Sequence, residues 1–172
     1  MGPLYNTNCY LSSPIEFDNL GATNWRQDVC DCLKEKFGIN VFDPSKDIKQ
    51  DSVVKMDIAL ENEDYDTVEN ICKMFTKKDL AVIDRSDFLI AASIKGIPTT
   101  GVPCEIIHAI NLKKPVMIVA TKGKKTASKW YFGNLKHQYI FGNWDDLYKY
   151  LQEVNEYKHV NNHRWWYTYK MV

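Results

Sequence analysis

The chain has 172 residues, of which 45% are hydrophobic and 13% aromatic, and its 22 basic side chains balance 22 acidic ones. This composition is typical of a packed globular protein with one hydrophobic core, and it excludes a largely disordered chain. Zero net charge disfavours nucleic-acid binding through bulk electrostatics, although it is compatible with a local pocket for one phosphate.

The sequence also indicates the compartment and the domain organisation of the protein. No run of about 18 apolar residues occurs, and the first eight residues lack the pattern of a signal peptide, so we expect no membrane association. The five cysteines are odd in number and scattered, which favours free thiols in a reducing, cytoplasmic compartment. We interpret residues 1–172 as one domain with an aromatic C-terminal tail from 157 to 172.

The first predicted elements are a strand, a helix and a second strand. Residues 9–13 are a short apolar segment that stops at Pro14. Apolar residues then recur every four positions from Trp25 to Phe37, which predicts a helix with Asn24 as its N-cap and Gly38 as its stop. Residues 39–42 predict the second strand.

The remaining elements continue the alternation. We predict helices over 53–60, 68–85, 103–112 and 144–154, strands over 88–92, 115–120 and 139–141, and a polar surface loop over 122–129. The two middle strands are apolar at successive positions, as in strands covered on both faces. The pattern predicts an α/β protein with a flavodoxin-like (Rossmann-like) three-layer fold, built on a mainly parallel sheet of about five strands.

In such sheets ligands bind at the carboxyl ends of the strands, which selects four segments: 12–16, 43–46, 93–105 and 121–134. The third segment leaves a central strand and enters a helix through glycines and prolines. Thr99 and Thr100 add hydroxyls at the helix start, and Glu105 in the first turn faces the crevice. A carboxylate there could attack an anomeric carbon; the alternative is a glutamate that only complements the helix dipole.

Three separated segments add a second line of reasoning. Residues 10–16 read YLSSPIE and 24–26 read NWR; Asp79-Leu80 precedes SDFLI at 86–90; GVPCE at 101–105 leads through Ala109 to KPV at 114–116. In order and spacing they resemble the signatures "YLAGPI…WR", "DL…SDxxxA" and "GxxxE…A…KPV" of the nucleoside 2-deoxyribosyltransferases and the related 2′-deoxynucleoside 5′-monophosphate N-hydrolases.

The resemblance implies a role for particular residues. Glu105 would be the nucleophile that forms a glycosyl ester, Asp79 would help to protonate the departing base, and Tyr10 would orient the glutamate. The role of Arg26 stays open, and we interpret Trp25 as a core residue of its helix. As candidate substrate-binding residues we take Ser12, Ser13, Pro14, Thr99, Thr100, Gly101 and Asn134.

Three positions depart from the family pattern or discriminate within it. Ser12-Ser13 replaces the usual Ala-Gly, which adds hydroxyls near the substrate. Thr99 stands six residues before Glu105, where the monophosphate hydrolases use a serine for phosphate and the transferases often use an aspartate. Glu16 stands where the hydrolases place an arginine, so the sequence favours a monophosphate substrate only slightly.

Two other groups of residues could form a functional site, but each has a structural alternative. Cys30 and Cys32 with His159 and His163 could form a zinc site, but residues two apart on a helix point in different directions. His108 lies one turn after Glu105 and could reach the same crevice, although we interpret it as a packing or surface residue. We therefore expect no metal and no organic cofactor.

The tail is unusually aromatic for a terminus. This predicts docking on the protein's own domain or on another subunit, and the resemblance implies a homo-oligomer. The alternative, base stacking on a nucleic-acid strand, would use Arg164, Trp165, Trp166 and Tyr169.

The leading functional hypothesis is an enzyme that cleaves or transfers at the N-glycosidic bond of a (deoxy)nucleoside or its 5′-monophosphate. Its partners would be that substrate and, in a transferase, a free nucleobase acceptor. Water takes the sugar in a hydrolase, and the sequence leaves this choice open. The alternatives are a non-catalytic nucleotide-binding module and a glycohydrolase of the NAD type.

Overall fold

The structure is a computed structural model that describes residues 2–15, 25–47, 50–97, 99–161, 163–165 and 168. Among these residues a sheet of five parallel strands has the order β2-β1-β3-β4-β5. The strands are β1 (Asn8–Ser12), β2 (Asn40–Phe42), β3 (Phe88–Ser93), β4 (Val116–Ala120) and β5 (Ile140–Phe141). This is the flavodoxin-like order, which confirms the predicted fold class.

Six α-helices surround the sheet within the described residues. They are α1 (Trp25–Phe37), α2 (Gln50–Glu61), α3 (Tyr65–Arg85), α4 (Gly101–Asn111), α5 (Lys129–Asn134) and α6 (Trp144–Asn155). None of the described helices is long and apolar enough to cross a membrane.

Most predicted helices begin and end within two or three residues of the observed ones. Helix α3 starts earlier than predicted because the Asp64 side chain accepts a hydrogen bond from the backbone N–H of Thr67, at 3.1 Å. Helix α5 was not predicted; it is too short to show an apolar period, and Ser128 caps it. The predicted N-cap of α1, Asn24, lies outside the described residues.

The strands bury both faces, and alternate residues contribute to two separate cores. Cys9 and Leu11 of β1 pack on the face covered by α1 and α6. Tyr10 packs on the opposite face, with Ile83 of α3 and Ile106 of α4. Because side chains alternate along a strand, Ser12 lies on the same face as Tyr10, directed towards α4.

The described part of the C-terminal tail packs on the protein's own domain. Trp165 is fully buried, contacts Phe88 edge-to-face at 5.3 Å between ring centroids, and donates a hydrogen bond from Nε1 to the Tyr150 hydroxyl at 2.8 Å. This burial removes Trp165 from the base-stacking alternative. Trp166 and Tyr169 lie outside the described residues.

Candidate active site

The central feature of the candidate site is the carboxylate of Glu105, which receives hydrogen bonds from two hydroxyls of β1. The Tyr10 hydroxyl donates to Oε1 at 2.8 Å, and the Ser12 hydroxyl donates to Oε2. Helix α4 starts at Gly101, and Glu105 lies one turn further along it. The side chain of Glu105 is partly buried. Each carboxylate oxygen is thus held by a separate hydroxyl, which fixes the carboxylate plane.

Tyr10 is fully buried, as Ser12 is. Burial raises the pKa of its phenol far above the ordinary value, and the negative charges of Glu105 and Asp79 raise it further. Tyr10 therefore stays protonated at any physiological pH, and its hydroxyl is a permanent hydrogen-bond donor to Glu105. Its ring stacks on Phe42 of β2, with 5.7 Å between the centroids, so the hydroxyl is held rigidly.

Asp79 lies partly buried on α3, close enough to Glu105 and Tyr10 for their charges to interact. Burial raises the pKa of its carboxyl to about 6, with the negative charge of Glu105 as the next cause and Asp47 as a smaller one. Lys78 acts in the opposite direction, but its Nζ also pairs with Asp47 at 2.7 Å. Asp79 consequently carries a proton in part of the molecules near neutral pH.

Residues 13–15 follow β1 directly and form a segment that we call the substrate loop. The backbone carbonyls of Ser13 and Pro14 both accept hydrogen bonds from Arg26, at 3.4 Å and 3.1 Å. The Ser13 hydroxyl is buried and makes no hydrogen bond within the described residues. Ser13 and Pro14 therefore lie beside the Glu105 site, next to Ser12, with their carbonyls directed away towards α1.

The start of α4 holds the next three predicted residues. The Thr99 hydroxyl accepts a hydrogen bond from the backbone N–H of Val102 at 3.4 Å, whereas Thr100 is exposed. A Cβ atom at Gly101 would meet nothing within 4 Å, so open space adjoins the helix start. Glu105 follows one turn after Gly101 on the same helix.

The structure does not bring Asn134 to this crevice. Its side chain donates to the carbonyl of Trp130 at 2.8 Å and lines a different cavity, of about 330 Å³, with Lys114 and Arg164. Those two residues lie at the amino end of β4, where Arg164 donates to the Val116 carbonyl. The physical reason is that α5 runs back from the carboxyl edge of the sheet to its amino edge, and Asn134 is its last residue.

Two residues of the alternative zinc site, Cys30 and His159, contact other parts of the protein. Cys30 is buried in the core between α1 and the sheet, and His159 contacts Glu153 at 3.0 Å. The described residues contain no group of three or more His, Cys, Asp or Glu side chains that could hold a metal ion. His108 pairs with Asp84 of α3 at 2.7 Å rather than with Glu105.

Two features of the site were not predicted. The hydroxyl of Ser12, a predicted substrate-binding residue, binds Glu105; the signal for this contact is its spacing of two from Tyr10 on a strand. The buried pair of Arg26 and Asp43, with 3.0 Å between Nη1 and Oδ1, joins α1 to the end of β2. No local spacing relates these two residues, so sequence reasoning could not find the pair.

The fold and the site together define a parallel α/β protein with a hydroxyl-held glutamate and a protonatable aspartate at the carboxyl edge of the sheet. A 2-deoxyribosyltransferase from Bacillus psychrosaccharolyticus is similar in structure, with a TM-score of 0.55 and 19% sequence identity over 81% of this chain and 89% of that protein. A 2-deoxyribosyltransferase from Leishmania mexicana has a TM-score of 0.46 and 19% identity over 69% and 68% of the two chains. No protein-family model and no curated protein sequence matches the chain. The Bacillus protein shows that the chain has the fold that the sequence resemblance implied.

Proposed function

We propose that the protein cleaves or transfers at the N-glycosidic bond of a 2′-deoxynucleoside or its 5′-monophosphate, with Glu105 as the nucleophile. The observation that carries the proposal is the Glu105 carboxylate held by Tyr10 and Ser12 at the carboxyl end of β1. This point lies between β1 and β3, where the strand order reverses and where ligands bind in open α/β sheets. The similarity to the Bacillus 2-deoxyribosyltransferase supports the same reaction class.

In the first step, one oxygen of Glu105 attacks C1′ of the sugar while the bond between C1′ and the base nitrogen breaks. The electron pair of that bond leaves with the base, and the proton of Asp79 moves to the base. A carboxyl whose pKa lies about 6 serves this purpose, because it is partly protonated at neutral pH and still acidic enough to donate. The products are a glycosyl ester of Glu105, a neutral base and the Asp79 carboxylate.

In the second step, a nucleophile attacks C1′ of the ester and releases the Glu105 carboxylate. The Asp79 carboxylate accepts the proton of that nucleophile, which restores the starting state. A second nucleobase as nucleophile makes the protein a transferase, and water makes it a hydrolase. Tyr10 and Ser12 stabilise the carboxylate that leaves in this step through the same two hydrogen bonds.

We favour a 5′-monophosphate as the better substrate, on the basis of Thr99. The Thr99 oxygen accepts from Val102, so its own hydroxyl proton is available to a phosphate oxygen at the start of α4. The positive end of that helix dipole favours an anion at the same place.

We also infer a homo-oligomeric, single-domain protein of the cytoplasm. Support for assembly comes from large apolar side chains on α2 and α3 that are about half exposed or more: Val54, Ile58, Tyr65 and Met74. Light scattering of the purified chain should give a mass of two or more times 20.0 kDa, and a mass of 20.0 kDa would contradict the homo-oligomer.

The decisive experiment compares the wild type with Glu105→Gln, which keeps the side-chain shape but removes the nucleophile. Both are incubated with deoxynucleosides, their 5′-monophosphates and NAD, each with and without a second base. We expect base release by the wild type and a loss of at least about 10³-fold in the variant. Glu69→Gln, at an exposed glutamate paired with Lys73 on α3, is the matched control and should keep full activity.

The products separate the possibilities. Release without an acceptor base indicates a hydrolase, and release that requires the acceptor indicates a transferase. Cleavage of NAD alone would support the NAD-type glycohydrolase. Tight nucleotide binding without turnover by either protein would contradict the proposal in favour of a binding module.

A further inference from the structure

We propose that Arg26 is a positioning residue for the substrate loop, acting through the carbonyl groups of Ser13 and Pro14. The inference rests on the proposed function, because it concerns the loop beside Glu105. Arg26 is itself buried, and its Nη2 donates to both carbonyls while its Nη1 bonds Asp43. It thereby ties the segment after β1 to the end of β2.

The guanidinium is held on its other sides as well. It lies over the ring of Trp25, at 5.1 Å from the centroid, and Trp25 stacks on Trp144 of α6 at 5.7 Å. Asp43 is fixed in turn by Ser45, whose backbone N–H and hydroxyl donate to Oδ1 at 3.0 Å and 2.8 Å. Arg26 is therefore a rigid support on which the loop rests, rather than a side chain that follows the loop.

The chemistry of the guanidinium suits this task. Its five N–H donors lie in one plane in a fixed fork, so one group can bond a carboxylate and two carbonyls together. A lysine ammonium carries the same charge at a single point and cannot reach all three acceptors from one position. The arrangement thus requires arginine and not only a positive charge.

Holding these carbonyls determines the direction of the loop backbone. The peptide between Pro14 and Ile15 is trans, so its N–H points opposite to the carbonyl that Arg26 holds. The Ile15 N–H is then turned away from Arg26 and makes no hydrogen bond with the described residues. On the other side of the same segment, Ser12 bonds Glu105. A shift of the loop would therefore disturb substrate binding first and the Glu105 carboxylate second.

Arg26→Lys tests the proposal, because it retains the charge opposite buried Asp43 but gives up the fork. We expect KM to rise about tenfold or more, with a smaller fall in kcat, as a loop displaced by about 1 Å would cause. The NMR order parameter of the Ile15 amide should fall from about 0.85 to under about 0.6. Leu151→Ala, on the buried face of α6, is the control for lost stability and should change neither quantity at a temperature well below its Tm.

Asp43→Asn is the second variant, since an amide oxygen can still accept from Arg26 while the carbonyl contacts remain. It should lower Tm but raise KM less than Arg26→Lys does. An unchanged KM and an unchanged Ile15 order parameter in Arg26→Lys would overturn the inference. If the wild type releases no base from any substrate, the proposed function fails. The order parameter then decides alone whether Arg26 positions the loop.

Discussion

At the scale of single residues, the candidate site depends on two hydroxyls that bind one carboxylate. Tyr10 and Ser12 are two positions apart on β1, so the strand directs both towards α4. The resemblance implied the contact of Tyr10 with Glu105, and the structure adds the contact of Ser12. Ser12 stands where the nucleoside 2-deoxyribosyltransferases that the sequence resembles have an alanine, and its hydroxyl donates to the glutamate.

Tyr10→Phe should lower kcat about 10- to 100-fold, because Glu105 loses the donor that orients Oε1. The stacking on Phe42 is retained, so Tm should change little. Tyr148→Phe, on α6, is the matched control and should retain full activity. Equal rates for Tyr10→Phe and the wild type in single-turnover assays would show that the hydroxyl is dispensable.

If Asp79 is the acid of the proposed reaction, activity should depend on pH. Because its pKa is raised to about 6, the protonated fraction falls tenfold per pH unit above that value, and kcat/KM should fall with it. Asp79→Asn should be slow at every pH and show no such alkaline limb. A wild-type profile that stays flat from pH 6 to 9 would contradict the role of Asp79 as the acid.

The raised pKa of Asp79 also affects the free energy of unfolding. The dependence of this effect on pH is opposite to that of an aspartate in a salt bridge. The folded state binds the Asp79 proton more tightly than the unfolded state does, because the pKa rises from 3.8 to about 6 on folding. The contribution of Asp79 to stability is therefore present at low pH and is lost as the pH rises through this window. Asp79→Asn should have a higher Tm than the wild type above about pH 6, although the partial exposure of the group reduces the effect.

At the scale of elements, the helix and strand boundaries follow from caps and stops that are visible in the sequence. Gly38 ends α1 with φ of 69°, and its N–H donates to the Lys34 carbonyl at 2.9 Å. A Cβ at this position would also lie 2.4 Å from the Tyr5 ring. Both the backbone conformation and the space thus require glycine.

Gly38→Ala should lower the free energy of unfolding by about 1–3 kcal/mol, because it forces alanine into a positive φ. Urea denaturation measures this change. Gly133→Ala is the matched control, since a Cβ there meets nothing within 4 Å and Gly133 lies inside α5. The control should be neutral or slightly stabilising, and a similar loss in both variants would contradict the explanation.

Ser128 caps α5, the helix that the sequence patterns missed, but a cap without an apolar period does not predict a helix. Helix α5 spans only residues 129–134, too few for a helical period, and its place is set by the return of the chain from β4 to β5. Asn134 was assigned to the crevice because it follows β4 in the chain. The direction of α5 carries it to the opposite edge of the sheet, and no local pattern reports that direction.

At the scale of the whole molecule, the described part of the C-terminal tail completes the core on the α1 and α6 face. Trp165 lies between Phe88 of β3 and Tyr150 of α6, and Arg164 lies over the ring of Tyr139 at 3.6 Å. The many aromatic residues of the tail predict that it docks on a protein surface. In the described residues that surface belongs to the same domain.

Trp165→Ala should therefore destabilise the protein by about 3–5 kcal/mol, as expected for a large buried aromatic side chain. For a chain of this size the Tm should fall by about 10 °C in a thermal melt. Trp130→Ala, at a tryptophan that is 49% exposed, should change Tm far less. Equal small effects in the two variants would mean that the tail does not contribute to the core.

The sequence by itself determined the α/β class and the parallel sheet, because apolar periodicity and turn residues are local properties of the chain. It also indicated Glu105, Tyr10 and Asp79 through the resemblance of three separated segments. The tertiary structure decided which side chains meet: Ser12 with Glu105, Arg26 with Asp43 and two loop carbonyls, and Asn134 with another cavity. Those contacts join residues distant in the chain, and their partners are set by the packing of helices on the sheet, which no local pattern encodes.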